Sequence, residues 1–103
     1  MIVWLDRARD DFRDLLVDVG GSDLNVASRL GRAVDEVLWT IETSPAVWPV
    51  VDPEFGVRRA VLPGRFRKLL LYYVLVPYPV IVGLVNGRRH PELIAQMLRG
   101  RVR

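Results

Sequence analysis

A nearly uninterrupted apolar run from residue 69 to residue 85 constrains the fold of this chain more than any other feature. Its length approaches the roughly 20 residues that a membrane-spanning helix needs. Pro77 and Pro79 lie in the middle of the run, where each removes a helical hydrogen bond and clashes with the preceding turn. Both halves are rich in Val, Ile, Leu and Tyr, which favour strands. We therefore predict a β-hairpin that turns at residues 76–79 and does not enter a membrane.

The composition favours one folded domain over residues 1–103. Half of the residues are hydrophobic and 26% are charged, as in a typical globular protein. The chain contains no cysteine, which excludes disulfide bonds, thiol catalysis and the commonest zinc sites. That absence suits the reducing cytoplasm, and residues 1–11 carry neither a basic leader nor an apolar signal core. We expect a cytoplasmic protein without a cofactor or a metal.

The formal charge is divided unevenly along the chain. Residues 1–44 carry a net charge of −4 and residues 45–103 carry +7, and nine of the ten bases in the second part are arginine. A basic region of this kind favours an anionic partner, either a nucleic acid or an acidic protein surface. The alternative is a solvated sheet edge followed by a basic tail, and charge alone does not decide between them.

Two amphipathic helices are predicted in the first half of the chain. In residues 7–19 and 24–41, apolar residues recur at helical spacing and charged residues fill the opposite face. We expect Asp6 to cap the first helix and Ser22 or Asp23 to cap the second, with a pair of glycines between them. Helices joined by so short a turn form an antiparallel hairpin, and each lays its apolar face on another part of the protein.

The second half of the chain is predicted to form most of a sheet. Strands are expected over residues 1–4, 57–62, 65–76 and 79–85. Gly83 indicates a bulge or the close approach of another backbone, and Trp4 and Trp39 are assigned to the core. The order of elements is β-α-α-β-β-β-α. We therefore predict an α+β fold in which the helical hairpin packs on a mostly antiparallel, four-stranded sheet with a short C-terminal helix.

Prolines and glycines mark the loop and the helix ends outside these strands. Residues 45–56 contain three prolines and no periodicity, so we predict a loop that Trp48 anchors on the core. Pro91 suits the first turn of the last helix, because its missing N–H group is not needed there. We expect Gly100 to end that helix and residues 101–103 to form a frayed tail.

Short motifs along the chain carry a resemblance to a known family. They are Ala-Arg-Asp-Asp-Phe at 8–12, Val-Arg-Arg-Ala-Val at 57–61, Gly-Arg-Phe at 64–66, Leu-Tyr-Tyr-Val at 71–74 and Leu-Val-Asn-Gly-Arg-Arg-His-Pro at 84–91. The first is similar to an Ala-x-x-Asp-Leu helix opening, the fourth to Leu-Tyr-Arg-Val, and the last to Val-x-His-Gly-Arg-Arg-Asp-Pro. In this order they resemble the ParE/RelE superfamily of bacterial toxin–antitoxin toxins, over nearly the whole chain.

Three residues depart from the family pattern. Tyr73 stands where members often carry arginine, Asn86 where they often carry histidine, and His90 where they often carry aspartate. Contacts that the family makes through those side chains therefore do not carry over to this chain.

The resemblance implies one of two activities. ParE-like members inhibit DNA gyrase, whereas RelE-like members cleave mRNA on the ribosome, and the Gly-Arg-Arg at 87–89 before the last helix resembles the ParE side. Metal-independent RNA cleavage needs a general base, a general acid and a cation. The candidate bases are Glu54, Lys68, Tyr72 and His90, and nothing in the sequence brings them together. We expect a gyrase inhibitor that a cognate antitoxin neutralises. The alternatives are a ribosome-dependent mRNA interferase and a non-toxic relative that only binds protein.

The candidate target-binding or nucleic-acid-binding residues are bases near the strand ends. They are Arg58, Arg59, Arg65, Arg67, Lys68, Arg88, Arg89 and His90. Arginine stays protonated and can bind a carboxylate or a phosphate but cannot act as a base. His90 is interpreted as a capping or surface histidine because it precedes Pro91 and a helix. No catalytic residue is assigned.

The long strand is apolar on both of its faces. Because side chains alternate along a strand, one face carries Leu69, Leu71, Tyr73 and Leu75, and the other carries Leu70, Tyr72, Val74 and Val76. The helical hairpin can cover only one face, so the C-terminal helix, a second subunit or a partner must cover the other. We expect an amphipathic antitoxin helix to dock on this sheet, with a strand added at its edge, and assign Leu69, Leu71, Tyr73 and Leu75 to that hetero-oligomeric contact.

Overall fold

Three helices and a mixed five-stranded sheet make up the fold, which the computed structural model describes over residues 1–21 and 23–102. The elements are β1 (Val3–Trp4), α1 (Asp6–Gly20), α2 (Leu24–Thr43), β2 (Val50–Asp52), β3 (Val57–Val61), β4 (Leu69–Val74), β5 (Val80–Asn86) and α3 (Pro91–Val102). A single 3-10 turn at Gly64–Phe66 lies between β3 and β4. The α+β class is as predicted.

The sheet has one strand more than predicted. Its order is β1-β5-β4-β3-β2, with β1 parallel to β5 and the other neighbours antiparallel. The extra strand, β2, lies in the segment that was predicted as a loop. It contains three residues, Val50 to Asp52, between two prolines, and so short a strand shows no alternation that a sequence pattern can detect.

The β4–β5 hairpin is present, and its connection contains the two prolines. Its first strand is shorter than predicted, because residues 64–66 form a 3-10 turn in which Gly64 has a φ of +65°. This left-handed conformation favours glycine and delays the start of β4 to Leu69. Among the described residues, no helix is long and apolar enough to cross a membrane.

The N-termini of the two helices in the hairpin are capped differently. Asp23 accepts a hydrogen bond from the backbone N–H of Asn25 at 2.9 Å, which confirms it as the cap of α2. The other candidate, Ser22, lies outside the described residues. The expected cap of α1 is wrong, since Asp6 is its first helical residue and Leu5 occupies the cap position without a side-chain hydrogen bond.

Both faces of the central strands are covered by helices of the same chain. On one face, Leu71, Tyr73 and Ile81 are fully buried in a core that also contains Leu30 and Ile41 of α2. On the other face, a second core brings Tyr72, Val82 and Val85 together with Ile94 and Leu98 of α3. Of the three coverings expected for the second face, the structure shows the C-terminal helix.

The three tryptophans differ in their surroundings. Trp4 packs on the core and stacks on Phe12 with ring centroids 5.7 Å apart. Trp48 packs there too, and its indole N–H donates to the Thr40 hydroxyl at 2.8 Å, which confirms it as the anchor of its loop. Trp39, in contrast, is 68% exposed, so its assignment to the core is wrong. Its helical phase groups it with the polar residues Asp35 and Arg32, one and two turns earlier.

A largely buried ion pair fixes α3 against the sheet and α1. The Arg101 guanidinium donates to both oxygens of Asp11, at 2.5 and 3.1 Å, and its side chain is 8% exposed. It also donates to the carbonyl of Val82 at 3.0 Å, while the N–H of Leu84 donates to Asp11 at 3.2 Å. The predicted helix end at Gly100 and the frayed tail are therefore wrong for residues 101–102, and Arg103 lies outside the described residues.

Gly83 makes room for this ion pair. The β4–β5 register shifts beside it, as Tyr72 pairs with Gly83 and Tyr73 with Ile81, which leaves Val82 as a bulge. A Cβ added at Gly83 would lie 3.0 Å from an Arg101 guanidinium nitrogen and 3.4 Å from an Asp11 oxygen. The bulge predicted at this glycine is confirmed, whereas the predicted approach of another backbone is wrong, because side chains of Arg101, Leu98 and Asp11 make the close contacts.

Candidate functional site: a two-arginine cleft

A cleft of about 330 Å³ lies between α3 and the face of the sheet on which that helix packs. Its apolar lining is Val57, Leu70, Ile94 and Leu98. Its polar lining includes Arg59 of β3, Tyr72 of β4 and Arg89 of the β5–α3 turn. We call this site the two-arginine cleft. Three elements that are distant in the sequence thus bring two guanidinium groups and one phenol to the same concave surface.

Strand register places Arg59 beside Tyr72. The two residues are direct partners in the antiparallel β3–β4 pairing, and directly opposed residues project on the same face of a sheet. Tyr72 is 5% exposed, and this burial raises the pKa of its phenol, an effect that the positive charge of Arg59 opposes in part. Tyr72 therefore stays a neutral hydrogen-bonding group at neutral pH, whereas Arg59 is exposed and charged.

A tight turn places Arg89 at the opposite side of the cleft. The N–H of Gly87 donates to the carbonyl of Lys68 at 2.7 Å, and the N–H of Arg89 donates to the carbonyl of Asn86 at 3.1 Å. A Cβ added at Gly87 would lie 2.9 Å from Leu70 and 3.1 Å from the Lys68 carbonyl oxygen. A Cβ here would require Leu70 and the Lys68 carbonyl to shift, so glycine suits the close approach of the turn that brings Arg89 to the cleft.

The charges in the cleft are only partly balanced. Asp52 of β2 pairs with Arg99 of α3 at 3.2 Å, and both residues line the cleft. Within residues 1–21 and 23–102, neither Arg59 nor Arg89 takes part in an ion pair. The cleft thus holds two arginines that form no ion pair within that part of the chain, and Arg89 also borders a second groove that is lined by Asp11, Asp14 and Asp18.

The remaining predicted bases lie elsewhere. Arg58 donates to the carbonyls of Ala46 and Trp48 at 3.0 and 2.6 Å, so it holds the loop before β2. Arg65 lies over the ring of Phe66 in a separate depression beside α2. Arg88 lines a groove between α1 and β5. These three arginines do not share the cleft with Arg59 and Arg89.

The last three candidates are exposed. Arg67 and Lys68 follow the 3-10 turn, and neither lines the cleft. His90 accepts a hydrogen bond at Nδ1 from the N–H of Glu92 at 3.2 Å, and its carbonyl accepts from Ile94 at 3.2 Å. His90 is thus the capping and surface histidine that the sequence indicates.

Three of the four residues assigned to antitoxin binding lie beneath α1 and α2. Leu69, Leu71 and Tyr73 are at most 5% exposed. The Tyr73 hydroxyl donates to the carbonyl of Pro45 at 2.7 Å, and burial raises the pKa of this phenol. A partner could reach these three side chains only by displacing the helical hairpin. Leu75 is half-buried beyond the end of β4.

Leu75 lines a second groove, which we call the end groove. It measures about 360 Å³ and is bounded by the ends of β2, β4 and α3. Its apolar lining is Val50, Phe55, Val74, Leu75, Val76 and Val102. Val76 is 85% exposed and Val50 is 44% exposed, so the groove presents apolar side chains to solvent at the β2 edge of the sheet.

The pairing of Asp52 with Arg99 in the cleft is not predicted from the sequence. Asp52 and Arg99 are 47 residues apart, in a segment predicted as a loop and on the last helix. No local pattern connects such positions, and only the presence of β2 would have brought them together. Tyr72 was considered, but the register that places it beside Arg59 was not evident from the sequence.

The chemistry available in the cleft is anion binding. Paired guanidinium groups bind carboxylates and phosphates with charge-assisted hydrogen bonds, and the phenol of Tyr72 adds a neutral donor. His90, the one imidazole of the chain, has its Nδ1 occupied by the cap of α3. In the described part of the chain, no group of three His, Asp or Glu side chains is arranged to hold a metal ion.

Neither a protein-family model nor a curated protein matches this chain.

Proposed function

We propose that this protein is the toxin of a type II toxin–antitoxin module and that it inhibits DNA gyrase in the cytoplasm. The observation that carries the proposal is the pair of arginines, Arg59 and Arg89, that line one cleft without an ion-pair partner among the described residues. The resemblance to the ParE side of the superfamily supplies the choice of target.

The cleft acts by binding acidic side chains of its target. Arginine presents a planar fork that matches a carboxylate, so Arg59 and Arg89 each hold one carboxylate through two parallel hydrogen bonds. The apolar floor formed by Val57, Ile94 and Leu98 excludes water from one side of these contacts. Charge-assisted hydrogen bonds are stronger where water is excluded, so the cleft provides both affinity and specificity.

The antitoxin binds at the end groove and the β2 edge. An outer strand presents unpaired backbone N–H and C=O groups, and an extended segment of a partner can pair with them. Exposed Val50 and Val76 lie beside this edge, where an apolar side chain of the same segment can be buried. This surface replaces the docking on Leu69, Leu71 and Tyr73, because α1 and α2 already cover those residues.

One observation favours a second function, ribosome-dependent mRNA cleavage. Tyr72 lies beside Arg59 in the cleft, and a phosphodiester held between two arginines would lie within reach of a phenol. The raised pKa of Tyr72 makes it a poor base at neutral pH, so cleavage would need a base from elsewhere. Gyrase inhibition requires binding alone and is therefore preferred.

The two functions are separated by testing the purified protein in two assays. We expect it to block DNA supercoiling by purified gyrase and to leave mRNA intact during translation in vitro. Codon-positioned cuts in translated mRNA, without gyrase inhibition, would establish the second function instead. If the protein does neither, and its expression leaves growth unchanged, it is a non-toxic relative that binds protein only.

A further inference from the structure

A cluster of arginines lies on the other side of the sheet from the two-arginine cleft. Arg29 and Arg32 of α2 and Arg65 of the β3–β4 connection line an open depression of about 270 Å³. Phe66, next to Arg65, packs into the core beneath α1 and α2, whereas the cleft lies under α3. We call this surface the basic corner. It is separate from the site to which the proposed function is assigned.

The charge of the basic corner is largely unbalanced. Arg29 and Arg32 are three residues apart on α2, so they project from the same face of the helix. Glu36 is the one acidic residue in the lining, and the ion pairs found in residues 1–21 and 23–102 involve none of the three arginines. Exposed Arg67 follows Arg65 and adds to the positive charge of the connection.

The connection holds Arg65 in place. The Arg65 guanidinium carbon lies 5.7 Å from the centroid of the Phe66 ring, a cation–π arrangement that limits the freedom of the long side chain. Phe66 is itself 8% exposed and packed in the core, and the N–H of Phe66 donates to the carbonyl of Pro63 at 3.3 Å. The corner is thus preorganised and does not consist of freely moving side chains alone.

We propose that the basic corner binds the phosphate backbone of duplex DNA. Protein interfaces have an apolar core with aromatic anchors, but Ala33 and Phe66 of this corner are buried, and the exposed apolar residue in its lining is Pro63, which is not aromatic. Single-stranded nucleic acid is bound by stacking on exposed aromatic rings, and none lines the corner. What the corner offers is guanidinium groups, which bind the phosphates of a duplex without reading its sequence.

The choice of DNA over duplex RNA rests on the proposed function. Gyrase acts on duplex DNA, so a protein bound to gyrase through its cleft lies beside that DNA. The corner and the cleft are on different faces of the sheet, so both can be occupied together. DNA binding then adds to the affinity for the gyrase–DNA complex in the way that a second linked site does.

The test measures binding of the purified protein to a short fluorescent DNA duplex by anisotropy over a series of salt concentrations, without gyrase. Each phosphate contact contributes about 0.9 to the slope of log affinity against log salt. We expect the variant with Arg29, Arg32 and Arg65 all replaced by Ala to lose about 2 to 3 from this slope. Arg29→Ala/Arg32→Ala, which leaves the cation–π pair intact, should lose about 2.

The matched control replaces Arg7, Arg9 and Arg13 of α1 by Ala, which removes the same charge from another exposed surface. If the slope of log affinity against log salt fell equally in this control, the basic corner would not be the DNA site. The same conclusion would follow if the slope fell in the variant Arg59→Ala/Arg89→Ala and not in the corner variants. Tighter binding to duplex RNA, single-stranded DNA or polyglutamate would overturn duplex DNA as its ligand. This assay contains no gyrase, so a lack of DNA binding would not argue against gyrase inhibition by the cleft. Equally, a lack of gyrase inhibition would not argue against DNA binding by the corner.

Discussion

At the scale of single residues, Arg101 joins parts of the protein that are far apart in the sequence. Its guanidinium contacts Asp11 of α1, 90 residues earlier, and the carbonyl of Val82 in the bulge of β5. Its side chain is 8% exposed and that of Asp11 is 18% exposed, so the pair is shielded from water. The position of α3, and with it one wall of the two-arginine cleft, depends on this contact.

Replacing Arg101 by Met tests this role. The substitution keeps an unbranched apolar stem but removes the guanidinium, so the largely buried Asp11 carboxylate loses its charged partner and keeps only the N–H of Leu84, which costs about 3 kcal/mol of unfolding free energy. Arg13→Met is the matched control, because the Arg13–Asp10 pair is exposed (70% and 55%) and such pairs contribute less than about 1 kcal/mol. Urea unfolding measures both changes. Equal effects in the two variants would show that the buried pair does not hold α3.

Gly83 and Gly31 provide a second matched comparison. A Cβ at Gly83 would lie 3.0 Å from Arg101 and 3.3 Å from Leu98, whereas a Cβ at Gly31 in α2 meets nothing within 4 Å. We expect Gly83→Ala to destabilise the protein by about 1 to 3 kcal/mol because the ion pair must shift. Gly31→Ala should stabilise it by about 0.5 to 1 kcal/mol, the helical preference for alanine. Thermal unfolding measures whether Gly83→Ala is less stable and Gly31→Ala more stable than the parent. A Gly83→Ala variant as stable as the parent would contradict the close packing of Arg101 and Leu98 on Gly83.

At the scale of elements, the parts of the fold that the sequence predicts are those with local signals. Pro77 and Pro79 within an apolar run predict the β4–β5 hairpin, and helical periodicity predicts α1 and α2. β2 escapes prediction because three residues between prolines show no period, and it exists through its pairing with β3. Trp39 lies in a polar phase of α2, which predicts its exposure, whereas its large aromatic side chain alone favours the core.

The end groove carries the prediction for antitoxin binding. Val76→Glu places a carboxylate on the apolar surface where we propose that an antitoxin binds, so we expect the affinity of the antitoxin for the protein to fall at least about tenfold, or 1.4 kcal/mol. Val17→Glu on α1 is the control, because Val17 is also exposed (67%) and lies outside the groove. The measurement is titration with the purified cognate antitoxin that the proposed function requires. Unchanged affinity in Val76→Glu would remove the end groove from the interface.

At the scale of the whole molecule, the acidic and basic parts of the chain occupy different layers. α1 and part of α2 carry most of the acidic residues, while the sheet, its connections and α3 carry most of the arginines. The sequence predicts this imbalance and names Arg59 and Arg89 among eight candidates. It does not predict that these two share a cleft, since that depends on the β3–β4 register and on the turn at Gly87.

The central claim is that Arg59 and Arg89 inhibit gyrase by binding it through the two-arginine cleft. The most direct measurement compares supercoiling by purified gyrase in the presence of the parent protein, Arg59→Ala/Arg89→Ala and the exposed control Arg9→Ala. Two charge-assisted contacts contribute about 3 kcal/mol or more, so the double variant should need at least about 100-fold more protein for equal inhibition. The control should match the parent. Equal inhibition by all three proteins, or none by the parent, would contradict the claim.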